Sequence, residues 1–279
     1  MIGPSVIGES DRGEVVRLGR HRLRLHVTGE GPPLLLLMGI GGNVEMWKPL
    51  QDVLPGRRLI AFDVPGTGGS STPGVPMTMG AIAGLTAALL RHLGDDRVDV
   101  LGVSWGGALA QQLAISHPGC VRRLVLAATV PGVGGVPGRP SALRVLATPR
   151  RYYSPSYLQS VAPTLYGGRI RREPELLRQQ AGARLDRPPS LRGYLGQLFA
   201  IMTFTSLPFL RRISAPTLVL VGDDDPIVPL LNARILQRGI PDARLHIVPG
   251  GGHLLILESA EEVGPVIAEF LDGTSPPPP

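Results

Sequence analysis

The heptapeptide Leu-Gly-Val-Ser-Trp-Gly-Gly, residues 101–107, places one serine between glycines that lie two positions away on either side. It ends an apolar run, 98–103, whose length and lack of polar alternation predict a buried parallel strand. The segment ALAQQLA, 108–114, follows and is typical of a helix. A tight strand-to-helix turn is one interpretation, and a nucleophile at Ser104 is the other. Because the pattern G-x-S-x-G counts as catalytic only in this context, the surrounding sequence favours a nucleophile.

Steric constraints explain why glycines flank Ser104. A serine at such a turn adopts a strained backbone conformation, and side chains two positions away would collide across it. Gly102 and Gly106, helped by Gly107, therefore permit the turn. We expect it to lift the serine hydroxyl to the edge of the sheet.

Beyond this turn, the chain alternates between apolar runs and helical patterns. Residues 14–27 alternate apolar and polar side chains around Gly19-Arg20 and predict a hairpin. Short apolar runs predict buried parallel strands at 34–37, 59–62, 98–103, 124–128, 217–221 and 245–248. Helical stripes lie between them at 82–93, 109–115, 230–236 and 263–271. This alternation predicts an α/β fold with a mostly parallel sheet flanked by helices.

The pattern breaks once, because no strand-like run occurs in residues 131–212. We predict a core of residues 1–130 and 213–272, and a helical lid of residues 131–212 over the carboxyl edge of the sheet. The last residues, GTSPPPP (273–279), predict a disordered tail.

The predicted lid is strongly basic and rich in aromatic residues. It contains 13 arginines, no lysine and three acidic residues, a net charge of +10 in a chain of net charge +6. It also contains eight of the chain's 12 aromatic residues. Arginine with aromatic residues can indicate nucleic-acid binding, but no helix-turn-helix, zinc-finger or RNA-binding motif accompanies them. We interpret the segment as a solvated arginine-rich face over an apolar pocket, and expect no nucleic-acid partner.

A nucleophilic serine needs a base and an acid that orients the base. Five of the six histidines lie in the hairpin, at helix ends or within a strand, where structural roles are favoured: His21, His26, His92, His117 and His246. His253 instead follows three glycines beyond the last strand. For the acid we choose Asp225 in GDDDPIVP, and interpret Asp223 and Asp224 as turn or cap residues. The order Ser, Asp, His is that of the α/β-hydrolases.

The oxyanion of an acyl-transfer intermediate needs two donors. We predict the backbone N–H of Trp105 as one, and that of Ile40 in the segment MGIGG as the other. A plain glycine turn is the alternative interpretation of MGIGG. We expect the Trp105 side chain to shape the pocket, and no cofactor or metal to be needed.

Six stretches of the sequence indicate a family more specifically than the G-x-S-x-G pattern does. They are MGIGGNVEMW (38–47), AFDVPGTGGSSTP (61–73), LGVSWGGALAQQLA (101–114), LVLAATVPG (124–132), GDDDPIVPLLNARIL (222–236) and LHIVPGGGHLLI (245–256). Together they resemble the intracellular poly(3-hydroxyalkanoate) depolymerases of the medium-chain-length type, within the α/β-hydrolases. The related polyester synthases have a cysteine at the nucleophile position, so Ser104 favours hydrolysis. Met38 is a departure, because the family usually has a polar residue such as asparagine there.

The resemblance implies ester hydrolysis of a stored bacterial polyester without a cofactor. Ser104 would attack the ester carbonyl, His253 would take its proton, and Asp225 would stabilise the imidazolium. The Ile40 and Trp105 amides would hold the oxyanion. It also implies association with storage granules, to which the basic lid could contribute.

Three rival functions remain open. A small-molecule carboxylesterase or a carbon–carbon bond hydrolase of this fold would use the same three residues, because the fold does not fix the substrate. A non-catalytic granule-binding protein is the third. We expect a cytoplasmic protein, because the N-terminal segment does not resemble a secretory signal and no apolar run reaches the roughly 18 residues that span a bilayer.

Overall fold

A computed structural model of the chain describes residues 13–273, except for the side chains of 178–181 and 183. Its strands are β1 (Glu14–Leu18), β2 (His21–Thr28), β3 (Pro33–Leu37), β4 (Arg58–Phe62), β5 (Val98–Val103), β6 (Val121–Ala127), β7 (Thr217–Gly222) and β8 (Ala243–Val248). They form one eight-stranded sheet in the order β1-β2-β4-β3-β5-β6-β7-β8. The pairs β1–β2 and β2–β4 are antiparallel, and the other neighbours are parallel. The predicted α/β fold with a mostly parallel sheet is therefore confirmed.

The helices connect these strands and cover both faces of the sheet. They are α1 (Lys48–Gln51), α2 (Met79–His92), α3 (Trp105–Ser116), α4 (Pro140–Leu146), α5 (Pro155–Tyr166), α6 (Gly168–Arg172), α7 (Pro174–Asp186), α8 (Leu191–Met202), α9 (Leu230–Gly239), α10 (Leu255–Glu258) and α11 (Ala260–Asp272). Short 3-10 helices occupy Val44–Trp47, Pro118–Cys120, Arg150–Tyr152 and Leu207–Arg212.

Two apolar cores lie on opposite faces of the sheet, and β3 shows why. Its leucines alternate between faces: Leu35 and Leu37 join the core under α2, α3 and α9, whereas Leu34 and Leu36 join the core under α1, α10 and α11. All four are almost completely buried. A continuous apolar run is thus what a strand covered on both faces requires.

The prediction that every apolar run is covered on both faces is wrong for β8. Residues 243–247 are only half-buried, because β8 is the edge strand and pairs with β7 alone.

Between β6 and β7 the chain is helical, from α4 to α8. The two ends of this segment meet at its base, where Gly132 bridges Thr205 and the Ser206 amide donates to the Pro131 carbonyl at 2.8 Å. We call residues 131–212 the lid; its separation from the core residues 1–130 and 213–272 stays a prediction. Of the predicted tail 273–279, Gly273 ends α11 with φ +76°, and the rest lies outside the described residues.

Within residues 13–273, none of the helices combines the length and the apolar character needed to cross a membrane.

Candidate active site

Ser104 occupies a single-residue turn between β5 and α3. Its backbone has φ 55° and ψ −117°, a conformation in which a non-glycine residue is strained. Several hydrogen bonds fix it: the Ser104 amide donates to the Ala127 carbonyl at 2.9 Å, and its own carbonyl accepts from Gly107 N at 2.9 Å and Thr129 Oγ1 at 2.7 Å. The surrounding structure thus stabilises the strained turn.

The neighbouring glycines are required by close backbone contacts. A Cβ on Gly102 would lie 2.4 Å from the Gly106 carbonyl oxygen, across the turn. A Cβ on Gly106 would lie 2.0 Å from the carbonyl oxygen of Leu37, in the adjacent strand β3. Both distances are far below van der Waals contact, so larger residues at these positions would force the turn apart from its neighbours.

The structure places Ser104, His253 and Asp225 in one hydrogen-bonded series, although they lie far apart in sequence. Ser104 Oγ is 3.0 Å from His253 Nε2, and His253 Nδ1 is 2.8 Å from Asp225 Oδ2. The second carboxylate oxygen, Oδ1, accepts from the amides of Ile227 and Val228 at 2.8 and 2.9 Å. Because an ionised carboxylate only accepts, the Nδ1 proton points to Asp225 and the Nε2 lone pair faces the serine hydroxyl. This is the arrangement that a general base requires.

The loop that carries His253 is fixed by groups that the sequence analysis did not select. The His253 amide donates to the Tyr166 carbonyl at 2.8 Å. Glu258 is buried, and its carboxylate accepts from Gly252 N at 2.6 Å and from Ile170 N at 3.0 Å. Burial raises the pKa of Glu258. Glu258 therefore connects the histidine loop to the lid helix α6.

The two remaining aspartates of GDDDPIVP hold loops, as interpreted from the sequence. Asp223 Oδ1 accepts from Gly250 N at 2.6 Å. Asp224 accepts from Gly168 N at 3.0 Å and pairs with Arg171, so it caps the start of α6.

A small cavity of about 50 Å³ opens onto Ser104 and His253. Most of its lining is apolar, with Met38, Ile40 and Ile227 among the residues that form it. This volume holds only a few water-sized groups.

Trp105 does not form part of that lining, so the expectation that its side chain shapes the pocket is wrong. The indole is buried in one of the two apolar cores, and its Nε1 donates to the Gln197 carbonyl of α8 at 2.9 Å. Its backbone N–H is the first of α3 and has no acceptor within that helix. The predicted role of this N–H in binding an oxyanion stays a prediction.

The lid clamps the peptide group that follows Ile40, the other predicted oxyanion donor. The carbonyl of Ile40 accepts from Tyr152 Oη at 2.5 Å, and the N–H of Gly41 donates to Gln197 Oε1 at 2.7 Å. These two groups belong to one peptide unit, so its orientation is fixed from both sides. Gly41 has φ +73°, and a Cβ there would lie 2.7 Å from the Tyr152 ring.

The interpretation of the lid arginines as a solvated face is wrong for two of them. Arg151 and Arg184 are buried, with 2% and 3% of their surfaces exposed, and both line the cavity beside Ser104. Each guanidinium lies over tyrosine rings, Arg151 at 4.7 Å from the centroid of Tyr152 and Arg184 at 5.1 Å from that of Tyr166. Other lid arginines, such as Arg171, are exposed.

Comparison with known proteins agrees with this fold. Residues 32–260 match the protein family described as "alpha/beta hydrolase fold". The chain is 50% identical to the poly(3-hydroxyalkanoate) depolymerase of Ectopseudomonas oleovorans over 92% of this chain and 91% of that enzyme. It is 30% identical to the 2-hydroxy-6-oxo-2,4-heptadienoate hydrolase of Pseudomonas putida, over 93% and 96%. The crystal structure of the enol-lactonase of Burkholderia xenovorans is similar in fold, with a TM-score of 0.81 at 23% identity, over 93% of this chain and all of that one.

Proposed function

This chain belongs to the α/β hydrolase family, and we propose that it is a serine hydrolase that cleaves the ester bonds of a poly(3-hydroxyalkanoate). The observation that carries the chemistry is the hydrogen-bonded series from Ser104 through His253 to Asp225. The substrate class is supported by the 50% identity to a depolymerase of that polymer.

In the proposed acylation step, His253 Nε2 accepts the Ser104 proton as Oγ attacks the ester carbonyl. The imidazolium that forms is stabilised by the buried carboxylate of Asp225. The backbone N–H groups of Ile40 and Trp105 receive the negative charge that develops on the carbonyl oxygen. His253 then protonates the oxygen of the departing 3-hydroxyacyl chain.

Deacylation repeats this sequence with water. His253 accepts a proton from a water molecule, whose oxygen attacks the acyl carbon, and returns the proton to Ser104 Oγ. The acid is released and the enzyme is regenerated.

An apolar stripe on lid helix α8 supports action at a polymer surface. Leu191, Leu195, Phe199 and Met202 recur every three or four residues on one face of the helix and are exposed, Met202 to 72%. The opposite face of α8 carries Gln197, whose Oε1 accepts from the Gly41 amide. Exposed apolar side chains at this position can bind the polymer while the lid opens the small cavity to an acyl chain. The same stripe, with the basic lid surface, would hold the protein on a storage granule.

Emulsified medium-chain-length polymer and a soluble p-nitrophenyl ester test the proposal together. The wild-type protein should release 3-hydroxy acids from the polymer, detected by chromatography, and should hydrolyse the soluble ester. Phe199→Ser with Met202→Ser should lower polymer hydrolysis by about tenfold, or about 1.4 kcal/mol, because partial burial of the two side chains against the polymer yields less than the roughly 1.5 to 3 kcal/mol of one fully buried side chain. Soluble-ester hydrolysis should stay within about twofold. Val15→Ser, an exposed apolar residue of β1, is the matched control.

Hydrolysis of the soluble ester without any release from polymer would instead favour a small-molecule carboxylesterase. Cleavage of a carbon–carbon substrate in preference to both esters would favour the activity named for the Pseudomonas putida relative.

The clamp on the Ile40–Gly41 peptide leads to a separate prediction. Tyr152→Phe removes the donor to the Ile40 carbonyl, and Gln197→Met removes the acceptor for the Gly41 amide at nearly constant volume. Each should lower kcat by about 10- to 100-fold with little change in KM, because an oxyanion donor acts mainly in the transition state, and its complete loss costs about 100- to 1,000-fold. Steady-state kinetics on a soluble ester measures this split.

Tyr153→Phe is the matched control for the clamp. Tyr153 is the neighbouring lid tyrosine, and its hydroxyl donates to a carbonyl within the lid, that of Pro189. An equal loss of kcat in Tyr153→Phe, or a loss confined to KM in the clamp variants, would show that these residues only stabilise the lid.

A further inference from the structure

Four arginines are buried among the described side chains, and two of them have carboxylate partners. Arg24 pairs with Glu45 and Asp63, and Arg57 pairs with Asp99 and Asp272. Arg151 and Arg184 form no ion pair with a carboxylate in the part of the chain that the structure describes. A buried charge without a counter-ion is unfavourable, so this pair of cations needs an explanation.

The partners of these two guanidinium groups are neutral. Arg151 Nη1 donates to Tyr194 Oη at 2.7 Å and to the Thr148 carbonyl at 3.3 Å, and Arg184 Nη1 donates to Tyr166 Oη. Burial raises the pKa of Tyr194 to about 12, so its hydroxyl stays neutral at physiological pH. Arginine itself stays protonated. The tyrosine rings attract both guanidinium groups, but none of these contacts supplies a negative charge that offsets the two positive charges.

Both cations lie close together and beside the proposed nucleophile. The Arg151 and Arg184 guanidiniums lie 4.7 and 5.7 Å from the centroid of the Tyr152 ring. Both residues line the cavity of about 50 Å³ that opens onto Ser104 and His253. Arg151 Nε is buried and has no hydrogen-bond partner in residues 13–273 with described side chains. Two excess positive charges at one cavity, one of them on a residue with an unused donor, fit an anionic ligand.

We propose that Arg151 and Arg184 form a carboxylate-binding subsite, which selects ester substrates whose leaving 3-hydroxy acid has a free carboxylate. This inference rests on the proposed ester hydrolysis. A carboxylate accepts paired hydrogen bonds from guanidinium groups, and such charge-assisted bonds are strong when they are shielded from water. In a polyester the only such group is at the carboxyl end of the chain.

A carboxylate bound by these arginines places the cut one unit from that end, because both arginines and Ser104 line the same cavity. The 3-oxygen and the carboxyl carbon of a 3-hydroxy acid are separated by two carbon atoms, so the terminal unit carries its carboxylate close to the ester bond that Ser104 attacks. Ser104 Oγ bonds to the ester carbonyl carbon, the bond from that carbon to the 3-oxygen of the terminal unit breaks, and His253 donates its proton to that oxygen. The terminal unit leaves as a 3-hydroxy acid, and water then releases the shortened chain with a new carboxyl end.

The test compares the linear dimer of 3-hydroxyoctanoic acid with the methyl ester of the same dimer. The wild-type protein should favour the free acid by about tenfold or more in kcat/KM, mainly through KM, as expected for a hydrogen-bonded charge. Arg151→Met should abolish this preference, so that the two dimers have equal kcat/KM. Arg150→Met, an exposed arginine in the same 3-10 turn, should keep the preference.

A binding measurement separates this inference from the proposed function and does not depend on the variants folding. In titration calorimetry, the wild-type protein should bind 3-hydroxyoctanoate about tenfold more tightly than methyl 3-hydroxyoctanoate. Equal binding of the two, or equal kcat/KM for the two dimers, would overturn the subsite. Selective binding of the carboxylate with no hydrolysis of any ester would uphold the subsite and overturn the proposed ester hydrolysis.

Discussion

Ser104→Ala is expected to lower kcat toward a soluble p-nitrophenyl ester by about 10⁶-fold, the cost of removing the nucleophile of a serine triad. Alanine keeps the Cβ, so the strained turn with φ 55° meets no new contact and the fold should persist. KM should change little, because the apolar side chains that line the cavity stay in place. Kinetics of the purified variant on this ester measures kcat and KM, and its thermal melting curve shows whether the fold persists.

An organophosphonate provides the independent check on this nucleophile. It should label the wild-type protein at Ser104 and leave Ser104→Ala unlabelled, as read by peptide mass spectrometry. Ser116→Ala, at the other end of the same helix α3, should keep full activity and labelling. Near-normal turnover in Ser104→Ala would refute the mechanism, whereas a wild-type protein with neither turnover nor labelling would leave a granule-binding protein as the better interpretation.

The sheet could be predicted because strands buried on both faces produce a local signal. Leu34 to Leu37 are apolar at every position because each face of the sheet contacts a core. This pattern can be recognised in one strand without knowledge of its neighbours. The edge position of β8 could not be predicted in this way, because strand order depends on pairing between distant segments.

The three residues of the predicted triad stand out for a similar local reason. Ser104 lies between glycines, His253 follows glycines, and Asp225 follows a strand, so each has the loop context of a residue at the sheet's edge. The clamp residues Tyr152 and Gln197 have no such context. They lie 112 and 156 positions from the groups they bind, in helical segments where composition does not show which face points inward.

Amino-acid composition likewise could not predict which individual arginines are buried. Thirteen arginines predict a basic surface on average, and most of those with described side chains are exposed. Arg151 is buried because Tyr152 and Tyr194 pack around its guanidinium, with ring centroids at 4.7 and 5.3 Å. That arrangement depends on the relative placement of two lid helices, which cannot be predicted from a short sequence motif.

The two carboxylate oxygens of Asp225 have different hydrogen-bond partners. These partners determine how the side-chain amide of an asparagine would be oriented at this position. Oδ1 accepts from two backbone amides, those of Ile227 and Val228, whereas Oδ2 faces His253 Nδ1. An asparagine at this position must place its oxygen at Oδ1, because an NH₂ group there would oppose two N–H donors. Its NH₂ group then points to His253 Nδ1, which must act as the acceptor. The imidazole proton therefore moves to Nε2, the atom that faces the Ser104 hydroxyl.

Asp225→Asn should accordingly lower kcat by about 10⁴-fold with the fold intact, because a protonated Nε2 cannot accept the serine proton. Kinetics on a soluble ester gives the loss, and nitrogen chemical shifts of the ring of His253 should report the change of tautomer directly. Asp224→Asn is the matched control: it lies one residue away and its side chain binds the lid, through Gly168 and Arg171, so its kcat should stay within about threefold. If Asp225→Asn kept a tenth or more of wild-type kcat, His253 would not depend on this carboxylate for its tautomer, and another acid would have to orient it.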